Sequence, residues 1–171
     1  SQAVFAQADY DLGGIADALD GLKVTAGYRY TWDWRAVANG QRTNIPGLIT
    51  GLCSQAGADK NCVVSGDGSF SAPSWLLEAD YQIDPTKMVY IKGSKAYQSG
   101  GFNLLSPTAA TKELKPEYLD DLEIGLKADW YFLGMKARTD VDEYWGWYSG
   151  VQEAIPVVNP LNGATLRATA V

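Results

Sequence analysis

Histidine is absent from all 171 residues, and cysteine occurs only twice. Without histidine the usual general base is gone, together with most zinc and copper site designs. Any catalysis would have to run on carboxylates, tyrosine or lysine. No apolar run reaches the roughly 18–20 residues of a transmembrane helix, so spanning by helices is excluded, and no basic segment with an apolar core opens the chain as a signal peptide does. Cations are the minority: 14 Lys and Arg against 20 Asp and Glu leave a net charge of −6. That balance argues against a surface that tracks nucleic-acid phosphates. The hydrophobic fraction of 46% is that of a folded protein rather than a disordered one.

What the chain has in abundance is alternation. Leu22, Val24, Ala26, Tyr28, Tyr30, Trp32 and Trp34 alternate with Lys23, Thr25, Gly27, Arg29, Thr31, Asp33 and Arg35. Ordinary strands run about 5–6 residues, whereas a tilted strand crossing a bilayer needs about 9–11, so the length of this run matters as much as its period. It predicts a strand with one apolar and one polar face. Residues 4–12, 75–83, 89–94, 121–132 and 136–148 carry the same pattern. Charges fall almost entirely on one face, with Lys95 and Glu143 the exceptions.

The connections alternate short and long. Residues 13–21, 84–87 and 133–134 are short; residues 36–72 and 98–115 are long and rich in Gly, Ser, Asn and Pro, and a third polar stretch follows Gln152. Outer-membrane barrels have one rim of short turns and one of long loops. The reading is therefore all-β: an antiparallel up-and-down transmembrane β-barrel segment of about six long strands plus a partial seventh at residues 164–171. Tryptophan and tyrosine gather at both membrane interfaces. Trp32, Trp34, Trp75, Trp145 and Trp147 fall at strand ends next to long loops, and Trp130, with Tyr10, Tyr81 and Phe132, next to short turns. These tryptophans are expected at the interfaces.

Charge also selects a register. Folding about Leu133 and Gly134 sets Asp129 opposite Arg138 and Lys127 opposite Asp140, while a slip of two residues brings like charges together. Asp84 and Pro85 supply turn chemistry at the other short connection. A three-residue loop there would set Asp80 across from Lys92.

At residues 94–103, SKAYQSGGFN, and 116–127, PEYLDDLEIGLK, the chain resembles the barrel of TonB-dependent outer-membrane receptors. Those receptors are 22-stranded barrels plugged by an N-terminal domain. The resemblance implies that residues 1–171 are a fragment of such a barrel, without the plug domain. It implies energy-coupled uptake of a scarce bulky ligand, most often a ferric siderophore. The implied partners are outer-membrane lipid, the plug and remaining strands of the parent chain, and the periplasmic TonB protein. The implied location is the outer membrane of a Gram-negative bacterium, crossed many times. Alternation alone does not say which face is inside, so a soluble lipocalin-like barrel around a small apolar ligand remains the rival. An outer-membrane enzyme is a third class, but no nucleophile and base set is recognisable.

Cys53 and Cys62, nine apart in the longest loop, suit a disulfide in an oxidising extracellular compartment. Two cysteines without histidine leave zinc short of ligands, so no metal and no cofactor is expected. Asp121 with Glu123, and Asp140 with Asp142, share faces as paired carboxylates can in catalysis, yet they read better as lining of a wet lumen among Lys127, Lys136 and Arg138. Tyr97, Phe102 and Phe70, close to the long loops, are the candidate ligand contacts. Glu143 fits worst, because alternation points it toward lipid opposite Ile124.

Overall fold

A computed structural model describes residues 1–40, 42–45, 49–53, 58–104, 112–158 and 165–170. Its strands are β1 (Gln2–Asp11), β2 (Leu22–Gly40), β3 (Arg42–Ile45), β4 (Ile49–Cys53), β5 (Val63–Asp84) and β6 (Lys87–Gln98). They continue with β7 (Gly101–Phe102), β8 (Glu113–Leu114), β9 (Glu117–Phe132), β10 (Met135–Ser149), β11 (Glu153–Val158) and β12 (Thr165–Ala170). Six long strands form one antiparallel sheet in the order β1-β2-β5-β6-β9-β10. The up-and-down path is complete: short turns join β1 to β2, β5 to β6 and β9 to β10 at one end. The hairpins β3-β4, β7-β8 and β11-β12 stand at the other. Among the described residues no helix is long and apolar enough to cross a membrane, and the sheet strands run from 10 to 22 residues. Residues 165–170 form a strand whose partner is β11, not the long sheet.

Why the chain folds this way is visible in the turns. At β9-β10, Leu133 and Gly134 both take positive φ, 48° and 77°, the mirror-image geometry that matches the twist of hairpin strands. The register that follows sets Asp129 against Arg138 and Lys127 against Asp140, as charge selects. The β5-β6 turn departs from expectation. Asp80 faces Tyr90, and Lys92 is faced by Glu78. Only Pro85 and Thr86 lie between the paired Asp84 and Lys87, and a register shift between Gln82 and Asp84 leaves Ile83 without a ladder partner. The Gln82 amide bridges the bulge by donating to the carbonyls of Asp84 (2.6 Å) and Lys87 (3.1 Å). The Asp84 carboxylate accepts from the Thr86 amide (2.8 Å), the Thr86 hydroxyl (2.6 Å) and the Lys87 ammonium (2.8 Å). The Lys87 ammonium, then Thr86, hold the Asp84 carboxyl far below the usual carboxylate range.

The two faces of the sheet differ as the sequence alternates. Along the apolar face, Leu77, Ile124, Leu126 and Val141 stay 40–60% exposed, so no second layer of the described chain covers them. Trp32, Leu77 and Leu126 do not meet inside a closed calyx, and the soluble-barrel rival falls on that exposure. Glu143 does face Ile124 on this side. It borders an apolar groove of about 550 Å³ whose floor includes Val89, Ile91, Ile124 and Leu126.

Candidate functional site

On the polar face, residues directly opposite one another across five strands read Thr25, Glu78, Lys92, Glu123 and Tyr144. Alternating charge on neighbouring strands is the favourable cross-strand arrangement. Thr25 donates its hydroxyl to Asp9 at 2.6 Å, and Lys92 forms an ion pair with Glu123. Glu123 also accepts from the Tyr90 hydroxyl at 2.5 Å, and the Lys127 ammonium sits 4.9 Å from the centre of the Tyr90 ring. Of the carboxylates expected to line a wet interior, Glu123 is thus committed to lysine and tyrosine, and Asp140 accepts from Arg138 Nε at 3.2 Å, partners that build a wall rather than an acid–base pair.

Lys95 is the instructive exception. It faces Asp120 across β6 and β9, and its ammonium donates to both carboxylate oxygens at 2.9 Å. Both lie on the apolar face, in a row that continues to Trp75 on one side and Trp147 on the other. A charge on that face is tolerable because a neighbour of opposite sign neutralises it at the height of the tryptophans. Asp120 therefore parts from Asp121 and Glu123, which turn to the polar face; a phase count that includes Asp120 would have found the pair.

The long-loop end carries the rest of the candidate site. β3 and β4 are tied to the start of β5 by the Cys53–Cys62 disulfide. Asp59 organises the short approach to it, accepting backbone N–H bonds from Asn61 (2.8 Å) and Val63 (2.7 Å), while Cys62 takes φ 63°. Trp145 and Trp147 lie near the long-loop end of β10 and Trp130 beside the β9-β10 turn, but Trp32, Trp34 and Trp75 are not at strand ends, because β2 runs on to Gly40 and β5 begins at Val63.

Of the three aromatic contacts, the structure brings two together. Phe70 and Phe102 are tilted rings 6.3 Å apart, whereas Tyr97 packs on Tyr118 with centroids at 5.8 Å. The Tyr97 hydroxyl is buried with no hydrogen-bond partner among the described residues. Phe102 lies over Gly66 and Gly68; a Cβ at either would meet the ring at 3.0 and 2.9 Å. Phe70 in turn lies over Gly100, where a Cβ would sit 2.5 Å from its ring. The strap that leaves β6 therefore folds back across the polar face of β5, and the glycines make room for it. Arg35 secures it: Nε and Nη2 both donate to the Ser99 hydroxyl, at 3.0 and 2.7 Å. Asp33, only 6% exposed, is held by the Ser1 hydroxyl and stands 3.8 Å from Arg35. Sequence reading did not single out Arg35, Ser99 or Asp33 as partners, because 64 residues separate Arg35 from Ser99.

The sheet has one face of aromatic and aliphatic side chains that no described residue covers and one face that carries paired ions, with the long connections at a single rim. A family model described as TonB-dependent receptor-like, beta-barrel, matches residues 1–171. No curated protein and no solved structure matches the chain. The apolar face is accordingly the lipid face, the ionic face looks into the lumen, and the chain belongs to the TonB-dependent receptor β-barrel family, transporters of the Gram-negative outer membrane that the polypeptide crosses many times.

Proposed function

We propose that this chain forms wall and outer mouth of a receptor that takes up a ferric siderophore, with energy coupled from periplasmic TonB through movement of a plug domain. In this reading residues 1–171 are a section of a 22-stranded barrel, and the plug and remaining strands belong to the rest of a larger protein. The open edges of β1 and β10 support that reading, since a sheet of six strands satisfies its backbone in lipid only by pairing onward. Phe70 and Phe102 are the aromatic groups assigned to the cargo, with Tyr97 behind them. The observation that carries the proposal is the mouth itself, where an aromatic pair and an exposed guanidinium stand above an ion-paired lumen wall.

Deleting the gene in its native bacterium and following radioiron supplied as carboxylate, catecholate and hydroxamate siderophores tests this. Loss of uptake for one class, restored by the intact gene and abolished when the proton-motive force is collapsed, is the expected result. Unchanged uptake for every class, or uptake indifferent to the proton-motive force, overturns it.

A further inference from the structure

We propose that Arg35 is an anion-operated latch: it holds the strap beginning at Ser99 inward across the lumen mouth, and an oxyanion of the cargo releases the strap by taking the guanidinium. This deepens the uptake reading and rests on it for the direction from which cargo arrives.

The argument begins with how the fork is used. A guanidinium offers parallel N–H groups that suit two acceptor oxygens at once. Here Nε and Nη2 converge on one neutral oxygen, the Ser99 hydroxyl. A carboxylate or other bidentate oxyanion would give each N–H its own charged acceptor, so the serine is the weaker partner. Asp33 does not already fill that role, because at 3.8 Å it lies beyond hydrogen-bond reach. The Arg35 side chain is 51% exposed and so open to a ligand.

The strap is built to rest where Arg35 holds it. Phe102 occupies the space left by Gly66 and Gly68, and Gly68 is the residue directly opposite Arg35 on the neighbouring strand. Gly100 leaves room for Phe70 and for the Leu114 carbonyl. Gln152 adds a clasp from beyond β10, donating to the carbonyls of Lys115 (3.0 Å) and Ser99 (3.4 Å). Neutral groups supply most of this docking; the guanidinium is the contact whose strength an incoming anion changes most.

The strap position can be read by cross-linking in the complete receptor in outer-membrane vesicles. A Cβ at position 66 would lie 3.4 Å from the Cβ of Phe102, close to disulfide span, and Gly66 has no positive φ to strain a cysteine. The pair Gly66→Cys with Phe102→Cys is therefore expected to oxidise readily without cargo, its bond mapped by peptide mass. Adding Arg35→Gln, or separately Ser99→Ala, should slow cross-linking about tenfold, the loss expected for charge-assisted hydrogen bonds. A ferric carboxylate siderophore should slow it in the Arg35 receptor and have no further effect in Arg35→Gln, while a neutral ferric hydroxamate should act on neither. Heat-modifiable migration of each variant on gels confirms a folded barrel. Equal rates in all backgrounds without cargo, or a slowing by the carboxylate siderophore that persists in Arg35→Gln, overturn the latch. Failure of transport by itself leaves these cross-linking results standing and rejects only the siderophore reading.

Discussion

The ring of Tyr90 lies across Gly125, with its Cζ 2.5 Å from the point where a side chain at that glycine would begin. The two stand opposite each other on β6 and β9, and the same tyrosine reaches Glu123 with its hydroxyl. A glycine in a strand normally weakens it; here the aromatic ring covers the bare backbone and the wall stays closed. Gly125→Ala is expected to displace the ring and destabilise the receptor by about 1–3 kcal/mol. Urea unfolding in detergent measures it, and an unchanged midpoint would mean that the ring moves aside without cost.

Asp84 gives a pH dependence with a definite sign. Its folded carboxyl is depressed by the Lys87 ammonium first and by Thr86 second. Its contribution is therefore full above the unfolded carboxylate value of about 3.9 and is lost as pH falls from there through the lower folded value. Asp84→Asn should melt below the parent receptor at pH 7, and the gap should close as the pH drops under about 4. A gap independent of pH would assign the effect to turn shape rather than to charge.

The disulfide makes a chemical prediction. Neither Cys53 nor Cys62 should react with an alkylating reagent until reductant is added, after which both should gain label. Replacing both by serine should cost about 2–3 kcal/mol of local loop order in the loop-closure account. Faster proteolysis confined to residues 42–63 is the readout.

Which parts of this were legible follows from what lipid demands. Within the bilayer outward positions are held apolar save for Glu143 and the Lys95–Asp120 pair, so the period of two was nearly continuous and the six long strands and the β9-β10 register could be read directly. Residues 63–74 extend β5 well beyond the segment that alternation marked, because VVSGDGSFSAPS lies at the long-loop end where no hydrocarbon enforces the pattern. The bulge at residues 82–84 escaped notice since one extra residue leaves the composition of both faces unchanged, and together with a turn of two residues in place of three it moved Lys92 from Asp80 to Glu78. The strap escaped for a different reason: Phe102 answers to Gly66 and Gly68, a fit of volume that has no periodic signature.

Orientation of the sheet can be tested by its tryptophans. Single-tryptophan receptors retaining Trp75, Trp147 or Trp130 should be quenched more by lipids brominated near the headgroup than near the chain end, since Trp147 and Trp130 lie toward strand ends on the lipid face and Trp75 shares the cross-strand row of Trp147. Stronger quenching from the chain ends would place these residues in the hydrocarbon centre and shift the membrane band along the strands.

The Lys95–Asp120 pair separates a structural ion pair from two tolerated charges. In lipid an unpartnered charge is costly, and a neighbour of opposite sign removes much of that cost only while both remain. Lys95→Met should therefore leave Asp120 stranded beside Trp147, and Asp120→Leu should leave Lys95 beside Trp75. Either single change is expected to destabilise more than the double change does. The coupling energy from the cycle should lie within about 0.5–3 kcal/mol, the range for residues in direct contact. The 2.9 Å contacts to both oxygens favour the upper half of that range, and the 5.5 Å approach of Lys95 to the Tyr118 ring shares some of it. Equilibrium unfolding of the four receptors in bilayers of one composition measures the cycle. Additive single effects would show that each charge reaches headgroups or water independently, and the row of Trp75, Lys95, Asp120 and Trp147 would then lie above the membrane surface rather than at its edge.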